Sequence, residues 1–338
     1  MKQTEHQRVV VAQRGGPEVL RVVQEPRPEP AADEVRVKVL AAGISGLDLM
    51  MRRYRFPGFP KVPYTPGVDV VGVADKTGED VSTVESGQFV AALLGTQGGY
   101  AEYVCVPAEK AVPVPADLDP VEVACVVANY LTAYSMMHRA AGVESGDRVL
   151  IQGAAGGVGT ALLELGSLSD LEMYGTASAH NLELVSSLGA TPIDYRSEDF
   201  VERIRSLTGD GVDVVFDPVG GGRQLRRSYQ TLRTGGRLVW FGVAATSRSG
   251  VRVIPATLAT RTLLALIPDG KKAPMPKDID KPNDWYRSSL ATLFDYLATG
   301  KIKPIVAASI PLTEAARAHA LLEAGGVGGK VVLVTEES

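Results

Sequence analysis

The stretch Val149-Leu-Ile-Gln-Gly-Ala-Ala-Gly-Gly-Val-Gly-Thr160 decides the fold. It reads as a β-branched strand, a tight glycine-rich turn and the start of a helix. Ala154-x-Gly156-x-x-Gly159 is a dinucleotide fingerprint with Ala in the first slot. Gly153, Ala154 and Ala155 are small enough for the sharp bend. Gly156 and Gly157 let the backbone approach a pyrophosphate, and Gly159 lets the helix pack closely on its strand. The first helical N–H groups then face an anion. A bare glycine motif is weak, but the strand before it and the helix after it supply the confirming context.

Outward from this loop the chain alternates strand and helix. Arg148–Gln152, Met173–Ala177, Val212–Phe216 and Arg237–Gly242 read as strands. Thr160–Ser167, Leu182–Leu188 and Arg223–Leu232 read as helices. This alternation predicts βαβ units and a doubly wound parallel sheet. Before it, Val121–Ala141 is apolar on a helical period. Earlier still, Val9–Ala12, Val35–Leu40, Val68–Ala74, Phe89–Leu94 and Tyr100–Val106 are short strand-like runs between Gly and Pro clusters. They read as a barrel-like β unit. Residues 254–284 are irregular and read as a mobile or capping insertion, or a solvated loop. Trp285–Ala298 and Ala315–Glu323 read as helices, and Lys330–Thr335 as a closing strand.

The 338 residues, 45% hydrophobic and 22% charged, suit about two globular domains. A net charge of −4 argues against a nucleic-acid partner, which usually meets a basic excess. No apolar run suggests a membrane span, and Met1–Arg8 lacks the apolar core of a signal peptide. Cys105 and Cys125 are too few for a four-cysteine zinc site or a disulfide framework, and read as buried small hydrophobes. A cytoplasmic protein is expected. Past the second strand, Gly175-Thr-Ala-Ser-Ala-His-Asn181 has no carboxylate to bond a ribose 2′-hydroxyl or repel a 2′-phosphate. Ser178, His180 and Asn181 can donate to phosphate oxygens. NADPH is therefore the expected cofactor.

Several motifs in order resemble the medium-chain dehydrogenase/reductase superfamily, in its branch of zinc-free quinone oxidoreductases with the zeta-crystallin and synaptic-vesicle amine-transport homologues. They are Ala41-Ala-Gly-Ile-Ser-Gly-Leu-Asp48, Pro63-Tyr-Thr-Pro-Gly-Val-Asp69, Gly98-Gly-Tyr-Ala-Glu-Tyr103, Leu131-Thr-Ala-Tyr134, the glycine loop, Ile193-Asp-Tyr195, Phe216-Asp-Pro-Val-Gly220 and Gly329-Lys-Val-Val-Leu333. The resemblance implies a GroES-like β-barrel catalytic domain, residues 1–124 and 283–338, and a Rossmann domain, residues 125–282, with the cofactor in the cleft between them. By position it puts Thr132 at the nicotinamide and Ala155, Gly156, Gly157 and Val158 at the pyrophosphate. Thr176, Ser178, Asn181 and Tyr195 fall at the adenosine end, and Val219 along the cofactor. Phe241, Gly242 and Val243 reach the carboxamide, and Lys330 joins the cofactor set. Relatives usually carry Lys where Asn181 stands, which weakens phosphate binding unless His180 or another base compensates.

Zinc-binding members carry Cys where Ser45 stands and His in the segment Pro66-Gly67-Val68-Asp69. Zinc is therefore not expected here. A substrate oxyanion then needs other donors. Ser45, Tyr54 and Tyr64 are the candidates, with Asp48 holding local structure. Tyr54, Phe56, Phe59 and Tyr64 can stack on a flat substrate or simply pack. The expected reaction is hydride transfer from NADPH to a quinone or to the C=C bond of an α,β-unsaturated carbonyl compound. The alternatives are a tailoring enoyl reductase of polyketide-type metabolism and a non-catalytic NADPH-binding protein. Relatives are commonly dimers built edge to edge, so a homodimer through Arg237–Gly242 and Val251–Ile267 is expected.

Overall fold

The computed structural model describes residues 5–242, 250–251, 253–275 and 279–335. They fall into two compact units. The first comprises Met1–Leu131, Asp280–Gly325 and Lys330–Ser338, and the second Thr132–Ile279 and Gly326–Gly329.

The first unit opens with the antiparallel pair β1 (Glu5–Val11) and β2 (Leu20–Pro26). β3 (Glu34–Gly43) shows why a half-buried strand forms: Val35, Val37 and Val39 are 0–1% exposed while Arg36 and Lys38 turn away. Apolar and charged residues alternate on the two faces of the pleat. α1 (Gly46–Arg53) follows, then β4 (Asp69–Thr77), β5 (Phe89–Leu93), β6 (Tyr103–Pro107) and β7 (Val112–Pro113). α2 (Pro120–Cys125) starts a helical run through α3 (Leu131–Ser135), with π-type turns at Val126–Tyr130 and Met136–Ala141.

The second unit is the alternating one. β8 (Arg148–Ile151), α4 (Gly157–Leu168), β9 (Glu172–Ala177), α5 (Leu182–Ser187), β10 (Thr191–Asp194), α6 (Phe200–Thr208), β11 (Val212–Asp217), α7 (Gly222–Gln230) and β12 (Leu232–Trp240) follow in turn. Their strands form a parallel sheet in the order β10-β9-β8-β11-β12. Every residue of β11 is buried, as a central parallel strand covered on both faces requires.

α8 (Val253–Ala265) corrects the expectation of a loop or insertion: it is a helix packed on α7. It buries Thr257 and Thr260, while Leu258, Leu263 and Leu266 just beyond its end are 40%, 59% and 74% exposed. The buried face thus mixes Thr257 and Thr260 with Ile254 and Leu264, while leucines also lie on the open face, which blurs the apolar periodicity of the helix. α9 (Asp284–Ala298), β13 (Val306–Pro311), α10 (Ala315–Ala324) and β14 (Lys330–Val334) complete the described chain.

In the first unit β14 lies antiparallel to β3 and parallel to β13. The sheet runs β13-β14-β3-β4-β5-β7, with β6 also on β3. This is an open path: among the described residues the expected barrel does not close.

Candidate functional site

The glycine loop is built as its composition dictates. β8 is apolar and buried, and Gly153 turns the chain at φ +64°. A Cβ on Gly159 would come within 2.6 Å of the Ala154 carbonyl oxygen, so this glycine permits close helix–strand packing. Gly156 differs. Its backbone is extended, and a Cβ there would meet nothing closer than the Gly153 carbonyl at 3.4 Å. It stands at the N-cap of α4, where no side chain caps the helix and no acid lies in the first turn. The positive end of the helix is thereby left for an external anion. The Gly329 amide donates to the Ala155 carbonyl at 2.9 Å, tying the 326–329 segment to this loop.

Past the end of β9, Ser178 is 8% exposed, and its hydroxyl lies 3.3 Å from His180 Nε2. That nitrogen is 3.2 Å from the Gly326 carbonyl, to which Asn181 also donates. Tyr195 leaves the neighbouring strand β10 with its amide donating to the Ala177 carbonyl. Parallel pairing therefore brings Ser178 and Tyr195 out on the same end of the sheet. The Tyr195 ring is 40% exposed, with the Arg196 guanidinium 5.7 Å from its centre. Thr176, by contrast, is buried. Its hydroxyl accepts from the Gly153 amide and donates to Gln152, so it supports the loop from beneath.

Val219 follows β11 in a turn held by Asp217. One Asp217 oxygen accepts from the Val219 and Gly220 amides, and the other from the Ser228 hydroxyl. Burial pushes the Asp217 carboxyl above its ordinary pKa against those donors. Phe241 donates its amide to the Asp217 carbonyl, and Gly242 accepts from the Trp240 indole. Thr132 is half-buried on α3, and Val243 lies outside the described residues.

The candidate donors of the first unit are differently placed. Ser45 caps α1: its hydroxyl donates to Asp48 at 2.6 Å and accepts the Asp48 amide at 3.2 Å. Asp48 also accepts from the Gly67 amide. Burial raises its pKa to about 6, opposed by those hydrogen bonds. Tyr54 ends α1 half-buried, near Arg53. Tyr64 is 5% exposed, and its hydroxyl finds no hydrogen-bond partner among the described residues. The Arg14 guanidinium lies 5.3 Å from its ring centre, and burial pushes its pKa up to about 12. Phe56 and Phe59 pack against each other at 5.6 Å.

Lys330 points into this unit. Its ammonium lies 3.2 Å from Asp69 and 3.4 Å from Asn129, and it is 3% exposed. Its side chain is thus committed to Asp69, not offered to a phosphate. Gly43 makes room, since a Cβ there would come within 2.6 Å of the ammonium nitrogen. The residues do not fit zinc. Ser45 gives its proton to Asp48, Asp69 is paired with Lys330, and no group of three metal-ligating side chains occurs among the described residues.

Sequence reading missed a second buried cluster. Arg52 and His319 are both 0% exposed. Arg52 donates to His319 Nδ1 at 3.1 Å and pairs with Glu323. Because Nδ1 accepts, Nε2 carries the proton and donates to the Tyr100 hydroxyl at 3.1 Å. Burial, with the Arg52 charge, lowers the His319 pKa to about 3. The only local hint is the rarity of a wholly buried Arg.

Residues 31–116 match the alcohol dehydrogenase GroES-like domain family, and residues 188–333 the zinc-binding dehydrogenase family. The chain is 30% identical over 326 residues to the synaptic vesicle membrane protein VAT-1 homolog of Danio rerio, covering 93% of this chain and 66% of that protein. It spans just under two thirds of that relative's length. It is 28% identical to the quinone oxidoreductase of Rattus norvegicus, with 95% of each chain covered. The solved structure of Escherichia coli quinone oxidoreductase complexed with NADPH superposes with a TM-score of 0.85 at 28% identity, covering 97% of this chain and 99% of that one.

Proposed function

Because the chain belongs to the medium-chain dehydrogenase/reductase superfamily, we propose that it is an NADPH-dependent oxidoreductase acting on quinones or on the C=C bond of α,β-unsaturated carbonyl compounds. The observation that carries this reading is the uncapped amino end of α4 above an open glycine loop, in a sheet whose next strand is followed by Ser178 and not by a carboxylate. The names of the rat and Escherichia coli relatives support it.

NADPH, when bound, supplies the hydride. The chain's part is binding, orientation and charge stabilisation. Amides of Ala155, Gly157 and Val158 hold the pyrophosphate, and Gly156, whose own amide donates to the Gly153 carbonyl, lets the backbone approach it. Ser178, Asn181 and Tyr195 hold the adenosine phosphate. Val219, Phe241, Gly242, Val243 and Thr132 align the nicotinamide half. Lys330 acts from within its own unit, by holding Asp69.

In the acceptor, hydride adds to the β-carbon, the C=C pair shifts to join the α-carbon and the carbonyl carbon, and the C=O π pair moves onto the oxygen. That enolate oxygen needs a hydrogen-bond donor. Of the three candidates Tyr64 is favoured, because its hydroxyl is unpartnered while Ser45 gives its proton to Asp48. Tyr54 lies at the opposite end of α1 from Ser45. The α-carbon then takes a proton from a donor or from water. An unactivated alcohol would instead have to be deprotonated before hydride leaves, and no donor set among the described residues fits a Lewis acid for that step.

Assembly and location belong to the same reading. The exposed leucines of α8 and the end of β12 beyond Leu238, where the Lys272 bridge no longer covers its edge, suit a homodimer, and no described helix is long and apolar enough to cross a membrane. A cytoplasmic homodimer is expected, with light scattering as its check: a monomer at micromolar concentration contradicts it. Calorimetric titration with NADPH and NADH tests the cofactor assignment. NADPH binds at least about tenfold more tightly, as one to two charge-assisted hydrogen bonds to a 2′-phosphate provide. Equal affinities contradict it.

A further inference from the structure

Four buried side chains and three backbone amides beneath the sheet's carboxyl end form one continuous series. The Gly153 amide donates to Thr176 Oγ1 at 3.0 Å, and the Thr176 hydroxyl donates to Gln152 Oε1 at 2.8 Å. Gln152 Nε2 donates to Ser228 Oγ at 3.5 Å, and the Ser228 hydroxyl donates to Asp217 Oδ2 at 2.7 Å. Asp217 Oδ1 then accepts from the Val219 amide at 2.7 Å and the Gly220 amide at 3.1 Å. Gln152, Thr176, Ser228 and Asp217 are each no more than 2% exposed.

The direction of the series is set by its ends. The Gly153 amide N–H can only donate, and both Asp217 oxygens face donors at the other end. Each hydroxyl between them must therefore accept from one side and donate to the other. Away from water such links reinforce one another, and a missing one leaves its neighbours unsatisfied. The residues come from four separate elements: the turn after β8, strand β9, the end of β11 and helix α7. No single element needs this arrangement for its own hydrogen bonding.

The two ends are what give the series a purpose. One is the first residue of the glycine loop, and the other is the turn bearing Val219. We propose that Gln152 and Ser228 are positioning residues for the dinucleotide, holding the glycine loop and the Val219–Gly220 turn at a fixed separation through Thr176 and Asp217. This rests on the cofactor assignment proposed above. A whole dinucleotide spans both turns and senses their separation. A fragment seated on the glycine loop alone does not.

The test compares NADPH with adenosine 2′,5′-bisphosphate, by calorimetry, in the wild type, Ser228→Ala and Gln152→Met. Gln152→Met keeps the volume and removes both hydrogen bonds, and it stands in if Ser228→Ala fails to fold. The expected result is about a tenfold loss of NADPH affinity in each folded variant, the scale of one unsatisfied buried group, with fragment affinity within about twofold of wild type. Unchanged NADPH affinity in a folded variant overturns the inference. So does an equal loss for both ligands, which would mark general loosening of the unit. Failure of the wild type to bind either ligand overturns the cofactor assignment itself, and the inference with it.

Discussion

The Lys330 ammonium lies 3.2 Å from the Asp69 carboxylate, with both side chains shut away from solvent. A buried pair of this kind contributes little net stability, but breaking it strands a charge. Lys330→Met leaves Asp69 with the Gly43 amide as its remaining donor. We expect a loss of about 3–5 kcal/mol in urea unfolding, most of it recovered in the double variant with Asp69→Asn. Additive single losses would mean that the pair is not coupled.

His319 predicts a pH dependence. Its pKa is about 3 in the folded protein, lowered by burial and by Arg52, against about 6.5 when unfolded. The unfolded state thus binds the proton first. The stability that neutral His319 contributes is present above pH ~6.5 and is lost as pH falls toward ~3. Asp48, raised to about 6 from an ordinary value of about 4, has the opposite sign between those two pH values, so the comparison must be with a variant. Between pH 7 and 5 the wild type should lose about 2 kcal/mol relative to His319→Gln. A constant difference would show that His319 is not held neutral.

The glycines of the loop separate binding from folding. A side chain at Gly156 enters open space, so Gly156→Val should keep the fold and abolish dinucleotide binding. Gly159→Ala meets the Ala154 carbonyl and should instead lower the melting temperature. Paired thermal melts and NADPH titrations decide. Unchanged NADPH affinity in folded Gly156→Val refutes the loop assignment.

Ser178→Asp places a carboxylate beside the proposed 2′-phosphate. NADPH affinity should fall by about tenfold or more while NADH is little affected, since a like charge within a few ångströms costs well over 1 kcal/mol in a partly buried site. Equal effects on the two cofactors would place Ser178 away from that phosphate.

How much of this was open to sequence reading depended on distance along the chain. β8, the glycine loop and α4 are contiguous, and their pattern is local. The buried β11 and the alternating β3 follow rules of period and burial. α8 is not legible that way, because its buried face mixes Thr257 and Thr260 with Ile254 and Leu264 while Leu258 and Leu263 are exposed. The pairing of Arg52 with His319 spans 267 residues and that of Asp69 with Lys330 spans 261, so no spacing rule reaches either. Ser45 reads in the sequence as a candidate donor to a substrate oxyanion. Only the structure shows its proton spent on Asp48.

The most direct test of the proposed activity is steady-state turnover under matched conditions. A 1,4-quinone or an enone with NADPH is compared with a simple secondary alcohol with NADP⁺, each with and without a metal chelator. Quinone or enone reduction should be the faster reaction by at least about tenfold, and the chelator should leave it unchanged, because an enolate needs only hydrogen-bond donors where an alkoxide needs a stronger acid. Faster alcohol oxidation, or loss of activity on chelation, would contradict the account.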